Sequence, residues 1–69
     1  MKLSARNILK GKIVQVKVGE VNAEVILELS GGAQIVSTIT KDSAVSLGLA
    51  PGKTAYAVIK ASNVMIGVD

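Results

Sequence analysis

The segment from residue 21 to residue 29, VNAEVILEL, alternates between apolar and polar side chains almost without interruption. All of its odd positions are apolar, and among its even positions only Ile26 breaks the pattern. A period of two is typical of a β-strand that buries one face and exposes the other. Gly31-Gly32 follows, and because glycine accepts a positive φ at no steric cost, this pair predicts a hairpin turn. The chain is therefore expected to consist of antiparallel strands.

Four further segments have the composition of strands. The first begins near Arg6 and ends at Val18, with valines at positions 14, 16 and 18 alternating with polar residues, and Gly19-Glu20 can turn the chain after it. The remaining three span residues 33–40, 53–60 and 64–68. Five strands with a helix between the third and fourth predict an all-β fold, a small five-stranded OB-like barrel formed by one domain, residues 1–69.

The predicted helix is short. Thr40 or Asp42 can cap its start, and Gly48 suits its C-terminus, with Pro51-Gly52 turning the chain soon afterwards. Its inward-facing residues would be Ala44, Val45 and Leu47.

Composition predicts an oligomer. A chain of 69 residues without Cys or His has neither disulfides nor a plausible zinc site to support its small core. Yet 49% of its residues are hydrophobic, and the strand at 53–60 is apolar on both faces. Such surplus apolar surface is expected to lie between subunits.

No segment indicates secretion or a membrane. Lys2, Arg6 and Lys10 are dispersed through the first ten residues, which excludes a signal peptide, and no apolar run approaches the length of a spanning helix. The expected location is the cytoplasm.

The side-chain inventory disfavours an enzyme. Without His or Cys, the chain lacks the usual general base and the thiol nucleophile. Glu20, Glu24 and Glu28 could suggest a metal site, but residues four apart on a strand lie about 13 Å from each other. We interpret them as a solvated acidic edge.

The net charge of +3 favours an anionic ligand. Nucleic acid is the common anion, but OB-like domains that bind single strands stack bases on aromatic side chains, and Tyr56 is the only aromatic residue. A nucleic-acid role is therefore disfavoured.

A small tetrahedral oxyanion suits the donors better, because it requires hydroxyls, backbone N–H groups and one or two cations. Three segments offer such groups. They are Ser4 with Arg6, Thr40 with Ser43 at the predicted helix start, and Lys60 followed by Ala61 and Ser62.

Four motifs resemble the molybdate-binding Mop or TOBE-type domain, in the free-standing single-copy form of the molbindins. They are SARN at 4–7 with KG at 10–11; VGEVNAEV at 18–25; TITKDS at 38–43 leading into SLGL at 46–49 and PG at 51–52; and VIKASNVM at 58–65. Together they cover nearly the whole chain in the family's order.

The resemblance implies a function and a set of ligands. The ligand would be molybdate or tungstate, with no cofactor, stored in the cytoplasm by a hexamer built as a trimer of dimers. The sites would lie between subunits and use Ser4, Arg6, Thr40, Ser43, Lys60 and the backbone of Ala61. A second kind of site, near a threefold axis, would use the turn that contains Gly19, Val21 and Asn22.

Two alternatives remain open from the sequence. One is a ligand-sensing or assembly module that acts with a partner protein. The other, disfavoured above, is a small nucleic-acid-binding protein.

Overall fold

One long strand, β1 (Asn7–Val18), organises the sheet in the computed structural model, which describes every residue from 1 to 69. The other elements are β2 (Asn22–Leu29), β3 (Gln34–Thr40), α1 (Lys41–Ser46), β4 (Thr54–Ile59) and a 3-10 turn, η1 (Ala61–Asn63). The strand order is β3-β2-β1-β4, and every pair is antiparallel. The sheet forms a curled half-barrel, and β3 and β4 are its two edges.

The strand β1 has two partners along its length. Residues Asn7 to Lys12 pair with β4, whereas Gly11 to Val18 pair with β2. At Gly11, where both neighbours are present, an added Cβ would lie 2.6 Å from the carbonyl oxygen of Glu28. Only glycine allows the strands to approach this closely.

A β-bulge in β1 follows the residues that pair with both neighbouring strands. The β1–β2 register shifts between Ile13 and Gln15, which leaves Val14 as the extra residue. Ile13 is buried, and Val14 is 42% exposed. The simple alternation of valines that predicted this strand is therefore interrupted, because a bulge reverses the side on which the following residues lie.

The core is small and lies on the inner face of the sheet. Ile13, Val25 and Leu27 form its centre, and Ala23 is also buried. The alternation predicted for β2 is confirmed, since its odd positions are the ones that turn inward. The glycine hairpin is also confirmed, because Gly31 and Gly32 have φ angles of 93° and 95°.

The helix α1 directly follows β3 and is capped by Thr40. Gly48 adopts the left-handed conformation after it, with φ 64°. Of the three residues predicted to face inward, only Ala44 is buried; Val45 and Leu47 are each 69% exposed, so that prediction is wrong for the single chain. The helix has only six residues and packs against a small sheet, so Ala44 is the one side chain that it buries.

The predicted fifth strand, 64–68, is not formed within the chain. None of the residues after Val64 takes part in a backbone hydrogen bond. The turn η1 follows β4, and the residues after it pair with no strand of the sheet. In place of the predicted five-stranded barrel, the single chain forms an open four-stranded sheet, because no strand joins β3 to β4.

Candidate functional site

An open pocket of about 590 Å³ lies where β1 begins and β4 ends. Antiparallel pairing of Asn7 with Ile59 brings the residues before β1 next to the residues after β4. The pocket is lined by Ser4, Ala5, Arg6, Val58, Lys60, Ala61, Ser62 and Asn63. The sheet register thus joins two segments that are more than fifty residues apart in the chain.

The pocket has the electrostatics of an anion site. Arg6 and Lys60 both line it, and no carboxylate does. Ser4 contributes a hydroxyl, and Ala61 lies on η1, the turn that follows Lys60. Four of the six residues predicted for the oxyanion site therefore lie together. The arrangement supplies two positive charges and hydroxyl donors to one open space.

The other two predicted residues, Thr40 and Ser43, form a hydroxyl pair at the start of α1. The backbone N–H of Ser43 donates to Thr40 Oγ1 at 3.0 Å, and the Thr40 hydroxyl donates to Ser43 Oγ at 2.8 Å. This direction leaves the Ser43 hydroxyl hydrogen free to donate outward. Both side chains are exposed.

These two groups lie at opposite ends of the sheet. Thr40 pairs with Asn22, beside the C-terminal end of β1, whereas Arg6 precedes its N-terminal end. Most of β1 lies between the two ends, and a straight strand of its length would span at most about 35 Å. One chain therefore cannot bring both groups to the same small anion.

The turn predicted as a second site lies beside the hydroxyl pair. The N–H of Gly19 donates to the carbonyl of Asn22 at 2.8 Å, which closes the predicted turn between β1 and β2. The N–H of Lys41 donates to the carbonyl of Val21 at 2.7 Å, so the turn packs against the start of α1. Asn22, Thr40 and Lys41 are exposed neighbours at this end of the protein.

Four of the pocket residues are not among the six predicted ligands, although Ser62 belongs to the third donor segment that the sequence indicated. Ala5 and Val58 contribute apolar wall, and Ser62 and Asn63 contribute polar side chains from η1. The last two directly follow Lys60-Ala61, so their position in the chain was the available signal. Ser62 and Asn63 line the pocket because the 3-10 turn η1 bends the chain around it.

Two further features were absent from the structure, an acidic cluster and a membrane-spanning helix. No group of three Asp or Glu side chains lies close enough together to hold a metal ion. No helix is long and apolar enough to cross a membrane.

Sequence comparison relates the chain to molybdenum-binding proteins. The family model of the TOBE domain matches residues 3–66. A probable molybdenum-pterin-binding protein of Haemophilus influenzae is 49% identical over 69 residues, which are the whole of both chains.

Solved structures give the same relationship. MopII from Clostridium pasteurianum, in an apo form, superposes with a TM-score of 0.93 and 49% identity, over 97% of this chain and all of that chain. The cytoplasmic molybdate-binding protein ModG, with molybdate bound, superposes with a TM-score of 0.95 and 55% identity. That match covers all of this chain and 49% of the ModG chain.

Proposed function

Because the chain belongs to the TOBE domain family, we propose that it binds molybdate or tungstate at sites completed between subunits of a homo-oligomer. The family consists of molybdate-binding domains and is not an enzyme family. The observation that carries the proposal is the pocket lined by Arg6 and Lys60 without a carboxylate.

Each part of the proposed site has a distinct task. Arg6 and Lys60 neutralise the two charges of the anion, and Ser4 and the N–H of Ala61 donate hydrogen bonds to its oxygens. Thr40 and Ser43 of a second copy close the open side. Ser43 donates directly, since the hydroxyl of Thr40 is already directed at Ser43 Oγ in the single chain.

The exposed surface supports an assembly of several copies. The single chain has an accessible surface of 5465 Å². A compact protein of 7.1 kDa exposes about 4,100 Å². The excess of about 1,400 Å² is larger than the roughly 800 Å² that each partner contributes to a standard interface. A hexamer built as a trimer of dimers would cover it.

The proposed role is storage of the oxyanion in the cytoplasm. A binding protein without a catalytic group can raise the local supply of an anion and release it by mass action. ModG, of which 49% matches the whole of this chain, is described as cytoplasmic. The turn at Gly19, Val21 and Asn22 is the proposed second site, near a symmetry axis of the assembly.

A complementation experiment tests the shared site. Arg6→Ala and Ser43→Ala remove one group from each half, and each variant alone should bind molybdate weakly in calorimetry. When the two are unfolded together and refolded as mixed oligomers, random assortment should restore about a quarter of the sites to wild-type affinity. Each restored site would take Arg6 from one copy and Ser43 from the other.

The matched control is the double variant Arg6→Ala/Ser43→Ala mixed with Arg6→Ala, in which no site can recover Arg6. Binding in the first mixture that equals the average of the separate variants would show that Arg6 of one copy and Ser43 of another do not share a site. Native mass spectrometry with and without molybdate would count subunits and anions in the same samples.

A further inference from the structure

The helix α1 depends on its two ends to hold it in place. It has six residues and buries only Ala44 against the sheet. Isolated helices shorter than about 12 residues are marginal in water, so tertiary contacts must fix a helix of this length. Because Ser43 belongs to α1, the same contacts determine where the Ser43 hydroxyl lies.

The start of α1 is attached to the sheet. Thr40 is the last residue of β3, and the N–H of Lys41 donates to the carbonyl of Val21 at 2.7 Å. These contacts fix the position of the first turn. A helix attached at one end can still swing, so the direction of α1 depends on how its other end is held.

Lys53 holds the other end of α1. Its ammonium donates a hydrogen bond to the carbonyl of Gly48 at 2.9 Å. Gly48 ends the helix in the left-handed conformation, and the last turn of α1 contains no basic residue of its own. Lysine side chains often bind the terminal carbonyls of a helix, and here the lysine comes from outside it.

The backbone of Lys53 is joined to the centre of the core. The N–H of Ile13 donates to the carbonyl of Lys53 at 2.9 Å, and the N–H of Gly52 donates to the carbonyl of Ile13 at 2.8 Å. Ile13 is fully buried, with 1% of its surface exposed. The side chain of Lys53 therefore links the end of α1 to the best-packed residue of β1.

Ser43 is joined to the same end of the helix. Its carbonyl accepts a hydrogen bond from the N–H of Leu47 at 2.9 Å, and Leu47 directly precedes Gly48. The helix is only about 1.7 turns long, so a movement of its end is transmitted to its first turn. A continuous series of hydrogen bonds thus runs from Ser43 through the helix end to Lys53.

We propose that Lys53 is a positioning residue for the anion site and that it acts through Ser43. Its hydrogen bond holds α1 at the angle at which Ser43 meets the pocket of a second copy. Lys53 does not line the pocket with Arg6 and Lys60, and it has no contact with the anion in this scheme. The role rests on the shared site of the proposed function and adds a residue outside that site.

The first test removes the ammonium of Lys53. Lys53→Met should weaken molybdate binding about three- to tenfold in calorimetry, the scale of one lost hydrogen bond. Lys53→Arg keeps the charge and the donors, so it should bind like the wild type. Lys12→Met is the matched control, since Lys12 pairs with Thr54 beside Lys53 and its side chain makes no hydrogen bond. It removes the same charge from the same region and should bind like the wild type.

The second test asks whether Lys53 acts through Ser43. Lys53→Met is combined with Ser43→Ala and, separately, with Arg6→Ala. Once the Ser43 hydroxyl is gone, Lys53→Met should weaken binding no further, whereas it should keep its full effect beside Arg6→Ala. A general loosening of the protein would weaken both double variants alike. Equilibrium dialysis with elemental analysis of molybdenum measures these weaker affinities.

Four results would overturn the proposed role. They are wild-type affinity in Lys53→Met, an equally large loss in Lys12→Met, an equal further loss in both double variants, and no recovery in Lys53→Arg. Dissociation of the Lys53→Met oligomer in light scattering would also overturn it, because the lysine would then act through assembly.

Failure of this role is distinguishable from failure of the shared site. The mixed oligomers of Arg6→Ala and Ser43→Ala keep Lys53 in every copy, so they test the shared site alone. If those oligomers recover binding while Lys53→Met binds like the wild type, the shared site stands and only the positioning role is lost.

Discussion

At the scale of the residue, the two cations of the pocket carry the proposed chemistry. Arg6 and Lys60 approach the same space from segments at opposite ends of the chain, and no carboxylate competes with an anion there. The residue inventory identified the two residues in separate segments, and the resemblance to the Mop family implied that they share one site. The β1–β4 register joins them, because Asn7 pairs with Ile59.

Removal of either cation should weaken molybdate binding strongly. Arg6→Ala or Lys60→Ala is expected to lower the binding free energy by about 2–5 kcal/mol, because truncation leaves the charge of an enclosed anion unpaired. Lys12→Ala is the matched control, since Lys12 lies opposite Glu28 in the middle of β1, away from both halves of the proposed site. Calorimetry measures all three; wild-type affinity in both pocket variants would mean that the anion binds elsewhere.

Anion selectivity should follow protonation and size. Molybdate and tungstate only accept hydrogen bonds at neutral pH, whereas phosphate usually carries a proton that would face donors, a mismatch of about 1–3 kcal/mol if buried. Asn63 also lines the pocket. Its amide acts as a donor when the NH₂ group faces the dianion and the carbonyl oxygen faces away. We expect tungstate and molybdate to bind about equally, sulfate more weakly because it is smaller, and phosphate most weakly. Competition calorimetry measures this order of affinities. Phosphate that binds as tightly as molybdate would contradict a site in which only donors face the anion.

At the scale of the element, β1 determines how the sheet curls. It pairs with β4 along its first half and with β2 along its second half, and Gly11 and Lys12 pair with both. The alternation in β2 and the glycine hairpin predicted their elements well, because both signals are local. The bulge at Val14 was not predicted, since it depends on the pairing of β1 with β2, and the alternation within β1 alone does not show it.

Substitution of Gly11 should destabilise the protein without touching the pocket. In Gly11→Ala the new Cβ would meet the Glu28 carbonyl oxygen at 2.6 Å and Leu27 Cγ at 2.8 Å, so the two strands must move apart. We expect the free energy of unfolding to fall by about 1–3 kcal/mol, the usual cost of overpacking.

The control for this change is Gly67→Ala, because nothing lies within 4 Å of a Cβ at that position. Chemical denaturation at one fixed protein concentration measures both variants, since the stability of an oligomer depends on concentration. Equal stability of Gly11→Ala and the wild type would show that β1 and β2 lie farther apart at Gly11 than the structure indicates.

At the scale of the whole molecule, charge and aromatic content predict weak binding to nucleic acid. The net charge is +3, and Tyr56 is the only aromatic residue. Single-stranded DNA or RNA should therefore bind only through phosphate contacts, which weaken steeply as salt rises. Fluorescence anisotropy with a labelled oligonucleotide at two salt concentrations tests this. Submicromolar affinity that survives raised salt would favour the nucleic-acid alternative.

What the sequence determined by itself is local: the period of two in β2, the turns at Gly19-Glu20 and Gly31-Gly32, and donor groups with few acceptors. These depend on neighbours in the chain, so residue type and spacing suffice to predict them. Only the tertiary structure decided three other features. They are the register that joins Arg6 to Lys60, the distance that separates both from Ser43, and the unpaired end of the chain. They depend on which strands pair, and a hydrophobic pattern determines which face of a strand is buried but not which strand lies beside it.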